Sequence, residues 1–435
     1  MSKLAINGGP KVRTAEFPMQ QDFGDEEKKL ILEVLASKEL SGFEASLGDK
    51  FLGGEKVKQL EDLFESYYDI KHALAIQSAS AGLHAAVAAL DVNPGDEIIV
   101  TPYSMCVSAT AAVMHNAIPI FVDLDEETCN LNPESIRKAI TPETKAIIVV
   151  HLFGYPAEMD EIMEIAREHN LKVIEDAAQA PGCKYKGKYV GTIGDIGIFS
   201  FNQNKTISTG EGGMVITNND ELAKRIELIR NHGEVVVDHY PVQNISGIVG
   251  YNYRMTELEA AVGIAQFQKL DRLNQHRIDL ANHLTARLDK FKPMLNFPDY
   301  NDQSDHVYFV YPIKYDANEV GIHRNKFVEA VGAEGFPIGA GYVRPIYYEP
   351  MYQQLLAYGD SGFPFKGPHI SKEISYPKGM NPVCERMHFE ELIITPICHY
   401  PLTNQDMDGF IEAIEKVLDN REELQQLQNS AELIL

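Results

Sequence analysis

Lys205 sits in FSFNQNKTISTGEGGMVITNN, residues 199–219, where an apolar strand runs into a polar turn. Gly210, Gly212 and Gly213 follow before a second apolar strand begins, and glycines there allow positive φ and close backbone approach. A lysine at the mouth of an apolar sheet is desolvated, which lowers its pKa and makes its amine a nucleophile suited to Schiff-base chemistry. A solvated lysine beside a glycine-rich hairpin would carry the same local sequence. A second signal is LKVIEDAAQA, an apolar strand ending on Glu175 and Asp176. Open α/β sheets bind ligands at the carboxyl ends of their strands. An aspartate there can keep a pyridine nitrogen protonated, so that the ring of pyridoxal 5'-phosphate stays an electron sink. Asp before an alanine-rich stretch is also a common helix N-cap. The third signal is AIQSASAGLHAAVAAL, with Ser78, Ala79, Ser80, Ala81 and Gly82 between an apolar strand and a helix. Backbone N–H groups and the helix dipole make such a terminus a phosphate site, although serine N-caps are widespread. Together the three read, in chain order, as a phosphate cup, a ring-nitrogen carboxylate and a Schiff-base lysine. Ser200 adds a further hydroxyl for the phosphate.

The elements around these residues predict the frame that holds them. Val57, Leu60, Leu63 and Phe64 fall on one face of a helix over Glu55–Tyr67, the spacing of an amphipathic helix. Short, fully apolar segments then alternate with helical ones through IIV, IPIFVD, AIIVVHL, KVIED and IGIFSF. That alternation marks a largely parallel sheet covered on both faces. A long periodic stretch from about Thr256 to Phe291 reads as a connecting helix, whole or broken. Past Pro293 come VYFVYPIKY, a helix near 324–334, a Gly/Pro/Tyr-rich loop region over 336–383 and a closing helix from about 404. The expectation is an α/β fold: a large PLP domain with a mostly parallel central sheet covered by helices, plus a smaller α+β C-terminal domain. Residues 1–50 form an N-terminal arm and the start of the small-domain region, 51–290 the large domain and 291–435 the small one.

Composition narrows the partners. Across 435 residues, 39 Lys and Arg face 63 Asp and Glu, a formal net charge of −24. Such a surface repels polyphosphate backbones and argues against nucleic-acid binding, while leaving room for one small phosphorylated ligand. The cysteines at 106, 129, 183, 384 and 398 are odd in number, and no two have C-x-x-C spacing, so neither a disulfide framework nor a metal site is indicated. The N-terminus lacks an apolar h-region, and no apolar run approaches the ~20 residues that cross a bilayer. A reduced, cytoplasmic protein is expected, with no membrane partner.

The blocks QSASAGLHAAVAAL, GDEIIVTP, VHLFGYPAEMDEI, VIEDAAQA, GTIGDIGIFSFNQNKTISTGEGGMVIT, RNHGE and GYNYRMTELEAAVG resemble the DegT/StrS family of PLP-dependent sugar aminotransferases, over about residues 4–420. The resemblance implies the aspartate-aminotransferase fold (fold type I), with Lys205 as the lysine that bonds the cofactor and Asp176 facing its ring nitrogen. It also implies Gln179 against the ring, Ser200, Ala79 and Ser80 on the phosphate, and Asn252 reaching the phosphate of a neighbouring subunit. A homodimer with shared sites follows from the last. The aromatic residue that usually stacks on the ring falls on Cys106, in Pro102-Tyr103-Ser104-Met105-Cys106-Val107; a sulfur side chain can pack on a π face, or Tyr103 can substitute. The loop Gly42–Gly54 is longer than is usual in the family and is placed to reshape the substrate entrance.

The resemblance implies ping-pong transamination. Glutamate or glutamine gives up its amine, Lys205 moves the proton as base and acid, and a keto sugar, favoured as nucleotide-linked, accepts it. Acceptors of the keto-cyclitol or keto-sugar-acid kind stay open. So does a non-catalytic PLP-binding sensor or structural protein, because a fold does not fix a function. His151, at the end of an apolar strand, reads as a satisfied core or switch-edge histidine, with a substrate role as the alternative. His232 and Arg254 read as facing either the acceptor or a subunit interface. Tyr342, Arg344, Tyr347 and Tyr348 read as a cover over the site or as ordinary loop packing.

Overall fold

The computed structural model describes residues 3–297, 300 and 304–425. The large unit is built on β1 (His72–Ile76), β2 (Glu97–Val100), β3 (Ile118–Phe121), β4 (Thr144–Val150) and β5 (Lys172–Asp176). A small hairpin, β6 (Lys184–Tyr185) with β7 (Lys188–Tyr189), precedes β8 (Ile196–Ser200) and β9 (Gly213–Thr217). Seven of these form one sheet in the order β1-β9-β8-β5-β4-β2-β3. The run from β8 to β3 is parallel, and β9 is antiparallel to both its neighbours. Ile147, Ile148 and Val149 on β4 are all fully buried, as expected of parallel strands covered on both faces.

Helices α1 (Asp25–Ser37), α2 (Glu55–Tyr68), α3 (Ala79–Ala89) and α4 (Val107–Met114) take up the first third of the chain. On α2 the buried residues Val57, Leu60 and Phe64 share the expected face, and Phe64 stacks on Phe267 with ring centroids 4.2 Å apart. Helix α3 is apolar around nearly its whole circumference and is buried accordingly. The long periodic stretch is two helices, Glu257–Phe267 and Leu270–Leu288, divided at Gln268 and Lys269. Leu270 and Leu273 at the start of the second helix pack in the core beneath the large sheet. Leu280, Leu284 and Leu288 at its end pack in a separate core.

That second core lies under a four-stranded antiparallel sheet of β10 (Leu295–Asn296), β11 (Tyr311–Tyr315), β12 (Gly339–Ala340) and β13 (Leu392–Thr395), ordered β10-β11-β13-β12. The helices Arg324–Ala333 and Asn404–Asp419 contribute Phe327, Phe410 and Ile414 to it.

One stretch packs differently from its sequence expectation. Residues 346–376, assigned above to the small domain, place Ile346, Tyr347, Tyr352 and Tyr376 in the core of the large sheet. Tyr352 meets Phe121 edge to face at 5.3 Å, and the Tyr376 hydroxyl donates to the Pro119 carbonyl at 3.0 Å. The physical reason is the sheet edge: β3 is terminal, and these aromatic rings cover it. Within the N-terminal 50 residues, Leu4 is fully buried in the second core. Glu27 of α1 accepts hydrogen bonds from Gln266 and Lys269, both at 2.8 Å.

The Gly42–Gly54 loop is pinned rather than free. Asn231 donates to the carbonyls of Glu44 at 3.0 Å and Phe51 at 2.9 Å. Next to it, buried Arg230 donates to Glu61 at 2.6 Å and to the Ala75 carbonyl at 2.9 Å. Removing one member of a buried pair leaves the other charge uncompensated. Glu61→Ala is therefore expected to lower unfolding free energy by about 3–5 kcal/mol, read as a lower urea midpoint at unchanged slope.

Candidate active site

The structure brings Ala79, Ser80, Asp176, Gln179, Ser200 and Lys205 to one cavity of about 290 Å³. Each reaches it for a local reason. Helix α3 begins directly after β1, and Ser78 caps it by accepting from the Ala81 N–H at 3.1 Å. The first helical bond runs from the Gly82 N–H to the Ser78 carbonyl, so the N–H groups of Ala79 and Ser80 lie ahead of the ladder. A helix start of this kind attracts an anion. Its position against the sheet depends on Gly213, the first residue of β9. A Cβ there would lie 2.8 Å from the Ala79 nitrogen and 2.7 Å from the Phe199 carbonyl oxygen.

Asp176 ends β5, and its Oδ1 accepts from the Ala178 N–H at 3.1 Å. Burial pushes its carboxyl pKa up, while the Ala178 N–H and the Lys205 charge pull it back down. Lys205 is held in its turn by its own N–H, which donates to the Asn202 carbonyl at 2.9 Å. Burial lowers its pKa, and the attraction of Asp176 opposes that shift. Its Nζ lies 4.5 Å from the centre of the Phe309 ring. The Ser200 hydroxyl, at the end of β8, accepts from the Asn202 N–H at 3.3 Å.

Gln179 ties the cavity to both units. Its Oε1 accepts from the Phe153 N–H at 2.8 Å, and its Nε2 donates to the Tyr342 hydroxyl at 3.4 Å. Phe153 has φ of 60°, a left-handed conformation unusual for a non-glycine residue. The Gln179 bond is one of the contacts that hold it there. Beneath the site, His151 is the satisfied core residue expected. Its Nε2 lies 3.1 Å from Glu175, and its Nδ1 accepts from the Ala157 N–H at 3.1 Å. Glu175 also accepts from the N–H groups of Gly191, Ile193 and Gly194 at 2.6–2.8 Å.

Two of the candidate residues do not line this chain's cavity. Cys106 is exposed at the start of α4 and does not line the cavity, whereas its neighbour Met105 does. Tyr103 cannot stand in, because it is fully buried with its hydroxyl accepting from the Tyr342 N–H at 2.7 Å. The sulfur side chain at the rim is thus Met105, one residue away from the expected position. Asn252 is exposed, with its Oδ1 accepting from Arg254 at 2.8 Å, and does not line this chain's cavity. Of the Tyr/Arg cluster, Tyr342 lines the cavity, and Tyr347 instead donates to Glu385. Phe309 was not singled out in the sequence: it lies in the apolar run VYFVYPIKY, whose pattern gives no sign that one ring leaves the core for the site.

These groups fit pyridoxal phosphate. The helix start and the Ser200 hydroxyl suit a phosphate, the desolvated carboxylate suits a protonated ring nitrogen, and the desolvated amine suits a carbonyl carbon. The chain matches the DegT/DnrJ/EryC1/StrS aminotransferase family over residues 35–381. It is 37% identical to a GDP-perosamine synthase of Caulobacter vibrioides over 305 residues, 69% of this chain and 80% of the relative. It is 34% identical to the L-glutamine:2-deoxy-scyllo-inosose aminotransferase of Streptoalloteichus tenebrarius, covering 97% of this chain and 99% of the relative. The crystal structure of DesV from S. venezuelae in complex with a ketimine intermediate superposes with a TM-score of 0.75 at 28% identity, covering 91% of this chain and 94% of that one.

Gly213→Ala places a methyl group against two backbone atoms that cannot move independently. It is expected to cost about 1–3 kcal/mol of stability and to reduce cofactor retained after dialysis, measured from the visible absorbance per chain.

Proposed function

The chain belongs to the DegT/DnrJ/EryC1/StrS aminotransferase family, and from that footing we propose that it carries pyridoxal 5'-phosphate and aminates a nucleotide-linked keto sugar, with glutamate or glutamine as donor. The observation that carries this reading is the desolvated Lys205 amine and the buried Asp176 carboxylate lining one cavity with the start of α3.

Ala79 and Ser80 would hold the phosphate through their N–H groups and Ser200 through its hydroxyl. Asp176 would hold the ring nitrogen, and Gln179 and Met105 would border the ring. Bound there, the cofactor supplies an electron sink and a carrier for the amino group. Asp176 would keep a proton on the ring nitrogen, because its buried carboxylate is only partly offset by the Ala178 N–H and the Lys205 charge. Lys205 Nζ takes the proton from the α-carbon of the amino donor and returns it in the reverse direction for the acceptor. Burial supports that role by keeping a larger share of the amine unprotonated than an exposed lysine would have. Tyr342 and Phe309, brought by the second unit, narrow the access of water to this proton transfer.

A keto cyclitol is the second acceptor class. It is favoured by the match to the scyllo-inosose aminotransferase, which extends over 97% of this chain. The proposed assembly is a homodimer in which Asn252 of each subunit serves the other's phosphate.

Lys205→Ala is expected to abolish turnover and the visible absorption band together. In the unaltered enzyme kcat, which reports the substrate complex where the Lys205 amine is free, should fall as pH drops through the lowered lysine pKa, below the ordinary value of ~10.4; a profile that breaks at the ordinary lysine value contradicts the assignment. The shared site is checked by complementation. Lys205→Ala and Asn252→Ala homodimers should each be impaired, and co-refolding them should restore activity, because each mixed dimer holds one intact site.

A further inference from the structure

A second compartment of about 290 Å³ adjoins the candidate active site and shares Asn204 and Phe309 with it. Phe309 is the ring beneath the Lys205 amine, so whatever fills this compartment stands next to the reacting centre. Its far wall is the N-terminal segment Pro18–Gln21, closed on the other side by Pro396 and His399.

This segment is built into the wall. Gln21 Nε2 donates to the Gln203 carbonyl, two residues before Lys205. Gln20 Oε1 accepts from Arg277 at 3.0 Å. Arg277 is itself buried and donates through its other nitrogen to the carbonyls of Tyr308 and Cys398, at 3.0 and 3.1 Å. Asp22, the next residue, is gripped through its carbonyl by Gln266 and Lys269 at 3.0 and 2.7 Å.

The chemistry of the wall selects a ligand class. Gln21 Oε1 is buried with no hydrogen-bond partner among the described residues, an acceptor that a ligand hydroxyl would satisfy. His399 Nδ1 lies 2.6 Å from the Tyr400 carbonyl, so Nδ1 carries the hydrogen and Nε2 is left as an acceptor. Burial lowers the pKa of His399 and so favours its neutral form. Asn204 adds a neutral amide, and Met19, Val310 and Pro396 add apolar surface. Uncharged acceptors beside apolar faces match a neutral ring carrying hydroxyls. They do not match the two carboxylates of glutamate.

We propose that this compartment binds the hydroxylated ring of the keto acceptor, with Gln21 and His399 as the residues that recognise it. The proposal rests on the aminotransferase reading above and adds to it a binding role for the N-terminal segment. The test is amide hydrogen exchange on the holoenzyme with two ring probes, 2-deoxy-scyllo-inosose and a GDP-linked 4-keto-6-deoxyhexose. One of the two is expected to slow exchange across residues 18–21. Gln21→Ala should then weaken that probe's binding about tenfold, and His399→Phe should do likewise, while the rate at which glutamate or glutamine bleaches the cofactor band stays within twofold. Absence of protection by either ring overturns the proposal. So does unchanged ring affinity in both variants, or an equal loss in the donor step. If neither donor bleaches the band in the unaltered enzyme, the aminotransferase reading fails separately, and the exchange result still decides whether the compartment holds a ring.

Discussion

The site depends on how closely the start of α3 can approach the sheet. At Gly213 a single missing side chain lets the Ala79 nitrogen approach to where a Cβ would otherwise stand. That approach places the N–H groups at the head of α3 beside the ends of β5 and β8, and so beside Asp176 and Ser200. A helix start two or three ångströms further out would present the same dipole to solvent, where it is worth little. The glycine-rich segment after Lys205 therefore serves two purposes. It turns the chain that carries Lys205, and it clears the space that the head of α3 needs.

Around this contact the protein satisfies its buried polar groups locally, leaving the groups that face the cavity available. Glu175 and Asp176 are adjacent carboxylates with opposite fates. Glu175 is saturated by three backbone N–H groups and His151, which fixes the end of β5 and the 191–194 turn. Asp176 has the Ala178 N–H as its backbone donor, and its raised pKa reflects burial that this bond and the Lys205 charge only partly offset. The contrast is between an anchored carboxylate and one whose burial is only partly offset.

Much of this was legible in the sequence. Lys205, Asp176, Ser200 and the Ser78–Gly82 segment stand at strand ends, and strand ends can be read from apolar runs and glycine spacing. The parallel sheet was legible for the same reason. What could not be read depends on contacts far apart in the chain. Phe309 comes to the cavity from beyond residue 300, and Gln20 and Gln21 reach the adjoining compartment from the opposite terminus. No local pattern marks them. The position of Met105 in place of Cys106 is a matter of one residue in a non-helical turn ahead of α4, where no periodicity fixes which side chain faces inward. The aromatic stretch from Ile346 to Tyr376 misled for a different reason: its residues are spaced like loop packing, and only the open edge at β3 explains where they go.

The helix Leu270–Leu288 has a consequence for how this chain can vary. It places Leu270 and Leu273 in one core and Leu280, Leu284 and Leu288 in the other. It is thus a gauge block between the two units, and the cleft they enclose inherits its dimension from the number of residues between those leucines. Substitutions on its outer face leave that dimension alone. Inserting or deleting one residue between Leu273 and Leu280 would instead shift one unit by about 1.5 Å and rotate it by roughly 100° relative to the other. Length in this segment is therefore under a stricter constraint than residue identity.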